Sequence, residues 1–369
     1  MKIKCSKANL LKGVNIVSKA VPSKTSMAIL ECILIDASND EIKLTANNME
    51  LGIETVIEGD IIERGIIALD ARIFSDIVRK LPENDVLITV ENDMKTIIEC
   101  EKSRFNIIGK SGEDFSYLPV IERNNKITIS QFTLREIIRQ TIFAINENDS
   151  NKMMGCELFR IHENELLVAA LDGHRVAIRK INLNNNYPDK DLIVPGKTLQ
   201  EIIKIINGGQ EDDVNIYYTN NHIVFEFERT TVISRLVEGE YFKISTMLSV
   251  DYKTKVTINK RELLNSIDRS TLLVKEGDKK PIKINILDRI IEIKMDSFIG
   301  SMNEEIDIVK EGEDLVIGFN PKFFLDALRV IDDEEVTLYM VNPKAPCFIK
   351  DKDESYIYLI LPINFNTAQ

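Results

Sequence analysis

At intervals of 125 residues the same helix pattern returns with a cation in the same two places: Arg72 and Arg79, Lys197 and Lys204, Lys322 and Arg329. The apolar frame matches as well. Phe74, Ile77 and Val78 are answered by Leu199, Ile202 and Ile203, then by Phe324, Ala327 and Leu328. A chain of 369 residues organised in this way contains three copies of one unit of roughly 120 residues, each long enough for its own core. So long a period argues against a solenoid of small repeats.

Residues seven apart on an α-helix project about 20° apart, so each cation pair shares one face while the apolar set points elsewhere. The plainer reading is a solvated, salt-bridged face, because Asp76, Glu201 and Asp326 fall four residues after the first cation, where they can pair with it. Recurrence of both cations in all three units goes beyond what solvation requires.

A second repeated segment opens each unit: Ile3, Leu10 and Val14 correspond to Ile127, Leu134 and Ile138, and to Val256, Leu263 and Ile267. Each time a short alternating strand meets a helix at a capping residue, Ser6, Ser130 or Asn259, the last with Glu262 three positions on. The cation helices follow strands at Gly65 to Leu69, Asp191 to Val194 and Asp314 to Phe319, two of them through Asp70 and Asn320. Polar turns and further alternating strands, such as Val86 to Val90, Ile223 to Phe227 and Tyr356 to Leu361, complete each unit. The expected class is α+β, with antiparallel sheets carrying two helices on one face. Polar stretches at Glu122 to Lys126 and Ser249 to Lys255 divide the chain into domains 1–122, 123–251 and 252–369.

With 44% apolar residues and no apolar run of membrane-spanning length, no membrane partner is expected. Met1 to Cys5 leads into polar residues rather than a signal-peptide core, so a cytoplasmic location is expected. Cys5, Cys32, Cys100, Cys156 and Cys347 are odd in number and have no paired spacing, which argues against disulfides or a zinc site. Neither a cofactor nor a metal is indicated. The net charge of −12 counts against nucleic acid unless the cations of the three helix pairs gather on one lining.

Gly196, Lys197 and Thr198 imitate the end of a phosphate-binding loop, but Asp191 stands where the glycine five positions earlier is required. His162, His174 and His222 are isolated, and each is read as a surface or turn residue. The one conspicuous local motif is Leu171-Asp172-Gly173-His174-Arg175-Val176, which reads as a tight turn or as an acid–base pair of Asp172 and His174. As a sequence it has no counterpart in the first or third unit.

This turn, the threefold repeat, the segment Ser234 to Gly239 and the terminal Leu361-Pro362-Ile363 together closely resemble the bacterial DNA sliding clamp family, the β subunit of DNA polymerase III. The resemblance covers the whole chain. It implies three tandem clamp domains with sheets outside and helices inside, a head-to-tail homodimer closing into a ring, and a non-catalytic processivity role. Implied partners are duplex DNA without sequence preference, the DNA polymerase III catalytic subunit, the clamp loader and other proteins bearing a clamp-binding peptide.

Carried over by position, Lys24, Arg72 and Lys197 would touch phosphate, with Arg79, Lys204, Lys322 and Arg329 on the same lining. The partner-peptide groove would comprise Met154, Leu171, Gly173, His174, Arg175, Val176, Phe242, Met247, Leu361, Pro362 and Ile363. At the dimer seam Phe105 and Ile107 would meet Leu272 and Leu273, and Lys102 and Arg104 would face Glu304 and Glu305. Departures from the family pattern fall mainly in the groove: Leu171 for a small hydroxyl residue, Phe242 for proline, Asn364 for arginine, and four residues beyond Phe365. Cys156 replaces glycine, and Lys152 and Met153 replace aromatics. Two rival functions are a divergent clamp paralogue or scaffold that does not serve the replicative polymerase, and a hydrolase using Asp172 and His174.

Overall fold

Ser6 Oγ accepts a hydrogen bond from Asn9 N, and Asn259 Oδ1 one from Glu262 N, so the capping residues read from the sequence do start helices. Ser130, Asp70 and Asn320 cap in the same way. The computed structural model describes residues 1–248, 251–274 and 280–364. Ser249 and Val250 of the second boundary, and the residues from Phe365 onward, lie outside the described residues.

The first third of the chain runs β1 (Lys2–Ser6), α1 (Lys7–Val17), β2 (Cys32–Asp36), β3 (Ile42–Asn47), β4 (Leu51–Ile57), β5 (Asp60–Glu63), β6 (Ile66–Asp70), α2 (Ala71–Lys80), β7 (Asp85–Val90), β8 (Lys95–Cys100), β9 (Ser103–Ile108) and β10 (Lys110–Ser111). The middle third has β11 (Lys126–Ser130), α3 (Gln131–Arg139), β12 (Cys156–Leu171), β13 (Arg175–Pro195), α4 (Gly196–Ile205), β14 (Asp213–Tyr218), β15 (His222–Phe227) and β16 (Thr230–Arg235). The last third repeats the plan with β17 (Thr254–Asn259), α5 (Lys260–Thr271), β18 (Ile282–Ile286), β19 (Ile290–Asp296), β20 (Ser301–Gly312), β21 (Leu315–Phe319), α6 (Pro321–Val330), β22 (Glu335–Met340), β23 (Cys347–Lys350) and β24 (Tyr356–Ile360). Each third holds two strand–helix elements, as the repeat predicts. Strand β13 is far longer than the short strand expected before α4, because it stays paired with β12 as far as Pro195, which lies opposite Cys156.

Compactness follows a different division from the repeat. One unit comprises residues 1–134 with 201–236, the other residues 135–200 with 237–369. In the first unit, one sheet is ordered β5-β1-β7-β8-β9 and a second β10-β6-β2-β3-β4-β16-β15-β14-β11. The second unit carries a single sheet ordered β12-β13-β24-β23-β22-β17-β20-β19-β18-β21. All their pairings are antiparallel. A strand from one third pairs with a strand from the next in each unit: β4 with β16, and β13 with β24.

The repeated apolar frame forms the cores. Phe74, Leu199 and Phe324 are wholly buried, as are Leu10, Leu134 and Leu263 in the opening helices. Burying each such side chain contributes on the order of 1.5–3 kcal/mol, and the helical spacing places it on the face opposite the cations. All five cysteines are free and buried. No helix among the described residues is long and apolar enough to cross a membrane.

Candidate functional site

The turn between β12 and β13 is built on Asp172. Its Oδ1 accepts bonds from His174 N at 3.0 Å and Arg175 N at 3.1 Å, its Oδ2 accepts one from Arg175 Nε at 2.9 Å, and Gly173 takes φ +81°. The Arg175 guanidinium also reaches Asp326 Oδ2 at 2.6 Å and the Phe143 carbonyl, and lies over the Phe323 ring. Asp172 is thus spent on the turn and on arginine, while the His174 ring stacks on Phe323 at 6.0 Å. An acid–base pair of these two side chains is overturned. His162 is an exposed partner of Asp189. At the false phosphate loop, a Cβ on Gly196 would come within 2.3 Å of Ile145 Cδ1, so glycine there serves packing.

Although the Asp-Gly-His-Arg sequence is confined to the middle third, its geometry recurs. Asn48 Oδ1 accepts from Glu50 N at 3.0 Å and Leu51 N at 2.8 Å in the β3–β4 turn, and Ser297 Oγ accepts from Ile299 N at 3.1 Å in the β19–β20 turn. The closing bonds also match: Asn48 N to Leu51 O, Asp172 N to Arg175 O and Ser297 N to Gly300 O. Asn, Asp and Ser are interchangeable as acceptors in such turns, which hides the repeat from residue identity.

Beside the Asp172 turn, the second unit exposes an apolar surface. Met154, Leu171, Val176, Phe242 and Met247 belong to one cluster, together with Met153, Tyr241, Ile244 and Leu248, which sequence reasoning missed. Leu171, Arg175 and Val176 are buried and form its floor; Met154, Phe242, Met247, Pro362 and Ile363 are half-buried; Gly173, His174 and Leu361 are exposed. The segment Leu361 to Ile363 leaves β24 at Ile360, where Leu361 N donates to His174 O and Ile363 N to Gly318 O. Met153 was signalled by its neighbour Met154; Phe323, in α6 and far from His174 in sequence, was not.

The cations divide into two sets. The acids expected to pair with the first cation pair with the second instead: Arg79 with Asp76 at 3.3 Å and Lys204 with Glu201 at 2.7 Å. An acid four after the first cation is also three before the second, and the cation nearer the helix carboxyl end is the one that the dipole favours. In the third copy Asp326 is taken by Arg175, and Arg329 pairs with Asp268 at 3.0 Å. Among the described residues Arg72, Lys197 and Lys322, each second in its helix and exposed, have no ion pair; nor has exposed Lys24. A cation at a helix amino end opposes the dipole, and a bound phosphate would reverse that penalty.

Two of the unpaired strand edges carry the residues expected at the dimer seam. Strand β9 pairs with β8 alone and presents exposed Arg104, Phe105 and Ile108 with half-buried Ile107, while exposed Lys102 lies in the turn before it rather than in the strand. In the other unit, the Ser301–Asp307 half of β20 pairs with β19 alone, while its remainder pairs with β17. Nearby Leu272 is exposed, Leu273 half-buried, Glu304 bonded to Arg269 at 2.6 Å, and Glu305 exposed.

Comparison with known proteins covers nearly the whole chain. Profiles of the N-terminal, central and C-terminal domains of the DNA polymerase III β subunit match residues 1–119, 128–243 and 245–364. The β sliding clamp of Staphylococcus aureus is 36% identical over 356 residues, 94% of each chain. A crystal structure from Eubacterium rectale, assigned to the DNA polymerase III β subunit, superposes with a TM-score of 0.96 at 70% identity, covering 99% of this chain and 100% of that one. The DNA polymerase sliding clamp of Bacillus subtilis gives 0.95 at 36% identity with the same coverage.

Proposed function

The chain belongs to the DNA polymerase III β subunit family, the bacterial sliding clamps, which are non-catalytic processivity factors, and from that premise we propose that two copies close head to tail into a ring around duplex DNA. The observation that carries the proposal is an incomplete set of pairings. At each internal junction the last long strand of one third lies against the strand after the Asx or Ser turn of the preceding third, β16 on β4 and β24 on β13. The corresponding third pair, β9 and the first half of β20, is unmade. A second copy would supply it, and two such seams complete the repeated pairing and close the ring.

The repeat also specifies the register. Strand β16 sets Val232 against Ile53 and Ile233 against Gly52. Transferring that register through the β8–β9 and β19–β20 hairpins sets Phe105 against Met302, and Asn106 against Ser301, of a second copy. Phe105 and Ile107 then join Leu272 and Leu273 at the seam, and Lys102 and Arg104 come near Glu304 and Glu305.

Within the ring, Lys24, Arg72, Lys197 and Lys322 contact phosphates without reading bases, and Arg79, Lys204 and Arg329 do so after exchanging intrachain partners. The Met154–Leu361 surface takes a short apolar peptide from the DNA polymerase III catalytic subunit, the clamp loader or other clamp-binding proteins. Methionines there adapt to different side chains. The testing measurement is solution mass by light scattering over a dilution series, against a chain mass of 42.1 kDa. A value about twice that, with retention on circular DNA that linearisation abolishes, is the expected result. A persistent monomer overturns the ring.

A further inference from the structure

The first unit contains a recess of about 260 Å³ beside the Asn48 turn, at the place the repeat assigns to the surface around Asp172 in the second unit. The correspondence holds bond by bond. Arg235 N donates to Glu50 O at 2.9 Å, just as Leu361 N donates to His174 O at 2.9 Å. Met49, with φ +73°, stands where Gly173 has φ +81°. Across the recess runs the segment Ser116 to Pro119, held by a bond from Asn47 Nδ2 to Ser116 O at 3.2 Å.

Its chemistry differs from that of the second unit. Met49 is 53% and Tyr117 58% exposed, an unusual outlay of large apolar surface at one recess, and Leu118 and Ile233 line it more deeply. At the rim, exposed Arg235 has no acidic partner among the described residues, and Glu50 is the one carboxylate in the lining. Next to Arg235, the His222 imidazole is half-buried and held below its usual pKa by burial and by that guanidinium, so it adds no positive charge at neutral pH.

We infer that this recess is a second docking site for a short partner peptide, one that places an aromatic or leucine side chain against Met49 and Tyr117 and a carboxylate on Arg235. The inference extends the peptide reading of the second unit to its repeat, but its own support is the recess, the exposed apolar pair and the unpaired guanidinium. A free arginine beside an apolar recess selects acidic over basic peptides, whereas the arginine of the Met154–Leu361 surface, Arg175, is already paired with Asp172 and Asp326.

The test is methyl NMR of the full chain labelled at methionine, titrated with the capped peptide Gly-Asp-Leu-Phe-Gly and its Gly-Lys-Leu-Phe-Gly analogue. Met49→Gly, which the backbone accepts at φ +73°, identifies the Met49 signal. The Met49 methyl is expected to shift saturably with the acidic peptide, and Arg235→Ala to weaken that binding about two- to fivefold, the range of an exposed ion pair. A Met49 signal that does not move, or that moves equally with both peptides, overturns the inference. The Met154 and Met247 signals report the other surface in the same spectrum, so either reading can fail while the other stands.

Discussion

The Arg175 guanidinium stands 2.6 Å from the Asp326 carboxylate, with the two side chains only 6% and 19% exposed. This ion pair ties the turn after β12 to α6, and the same arginine holds Asp172. Removing it leaves two largely buried carboxylates without their cation. Arg175→Ala is therefore expected to lower stability by about 3–5 kcal/mol, measured by urea unfolding. Arg175→Lys should recover only part of that, since an ammonium cannot span both acids. A loss below about 1 kcal/mol in the alanine variant would mean that the network adds little.

Lys24, Arg72 and Lys197 changed together to Ala should flatten the salt dependence of DNA retention, by about 0.9 in logarithmic slope for each phosphate no longer neutralised. Subunit mass should not change. Changing Arg79 and Lys204 should matter less, because Asp76 and Glu201 already occupy them. Equal effects from the two sets would show that the intrachain pairs do not compete with phosphate.

Much of the fold was legible because the period of 125 residues repeats three constraints at once: cap, apolar face and cation. Phe74 and Phe324 could be assigned to a core on spacing alone, and both are fully buried. The recurrence of the Asp172 turn was not legible, because Asn48 accepts both of its backbone bonds, and Ser297 the first of them, with different side chains. Nor was the partner choice of Asp326, which depends on Arg175, 151 residues away. Patterns within one helix or strand can be read from sequence, whereas choices between equivalent local and distant partners are made by packing.

Glu157 is fully buried on β12, and neither carboxyl oxygen has a hydrogen-bond partner among the described residues; the Thr141 hydroxyl is directed to Ile137 O at 2.8 Å. Burial holds its pKa well above the ordinary carboxylate range. Because the folded state binds this proton more tightly than the unfolded chain, the group's contribution is fully present below the unfolded pKa and falls as pH rises toward the folded value. Glu157→Gln should therefore gain Tm relative to the parent as pH rises from 5 to 8. A difference in Tm that is constant over that range would place the titration elsewhere.

The proposed seam can be tested at the level of register. Antiparallel strands set opposed Cα atoms about 4.5–5.5 Å apart, within the span of a disulfide, and the repeat opposes Asn106 to Ser301 of a second copy. The chain carrying Asn106→Cys and Ser301→Cys should form a covalent dimer under mild oxidation, seen as a doubled mass on non-reducing gels. All five native cysteines are buried, so they do not compete. Asn106→Cys with Asn303→Cys, displaced by two residues, should crosslink much more slowly. Preferential crosslinking of the displaced pair would keep the strand-to-strand pairing but refute the register inherited from β4 and β16.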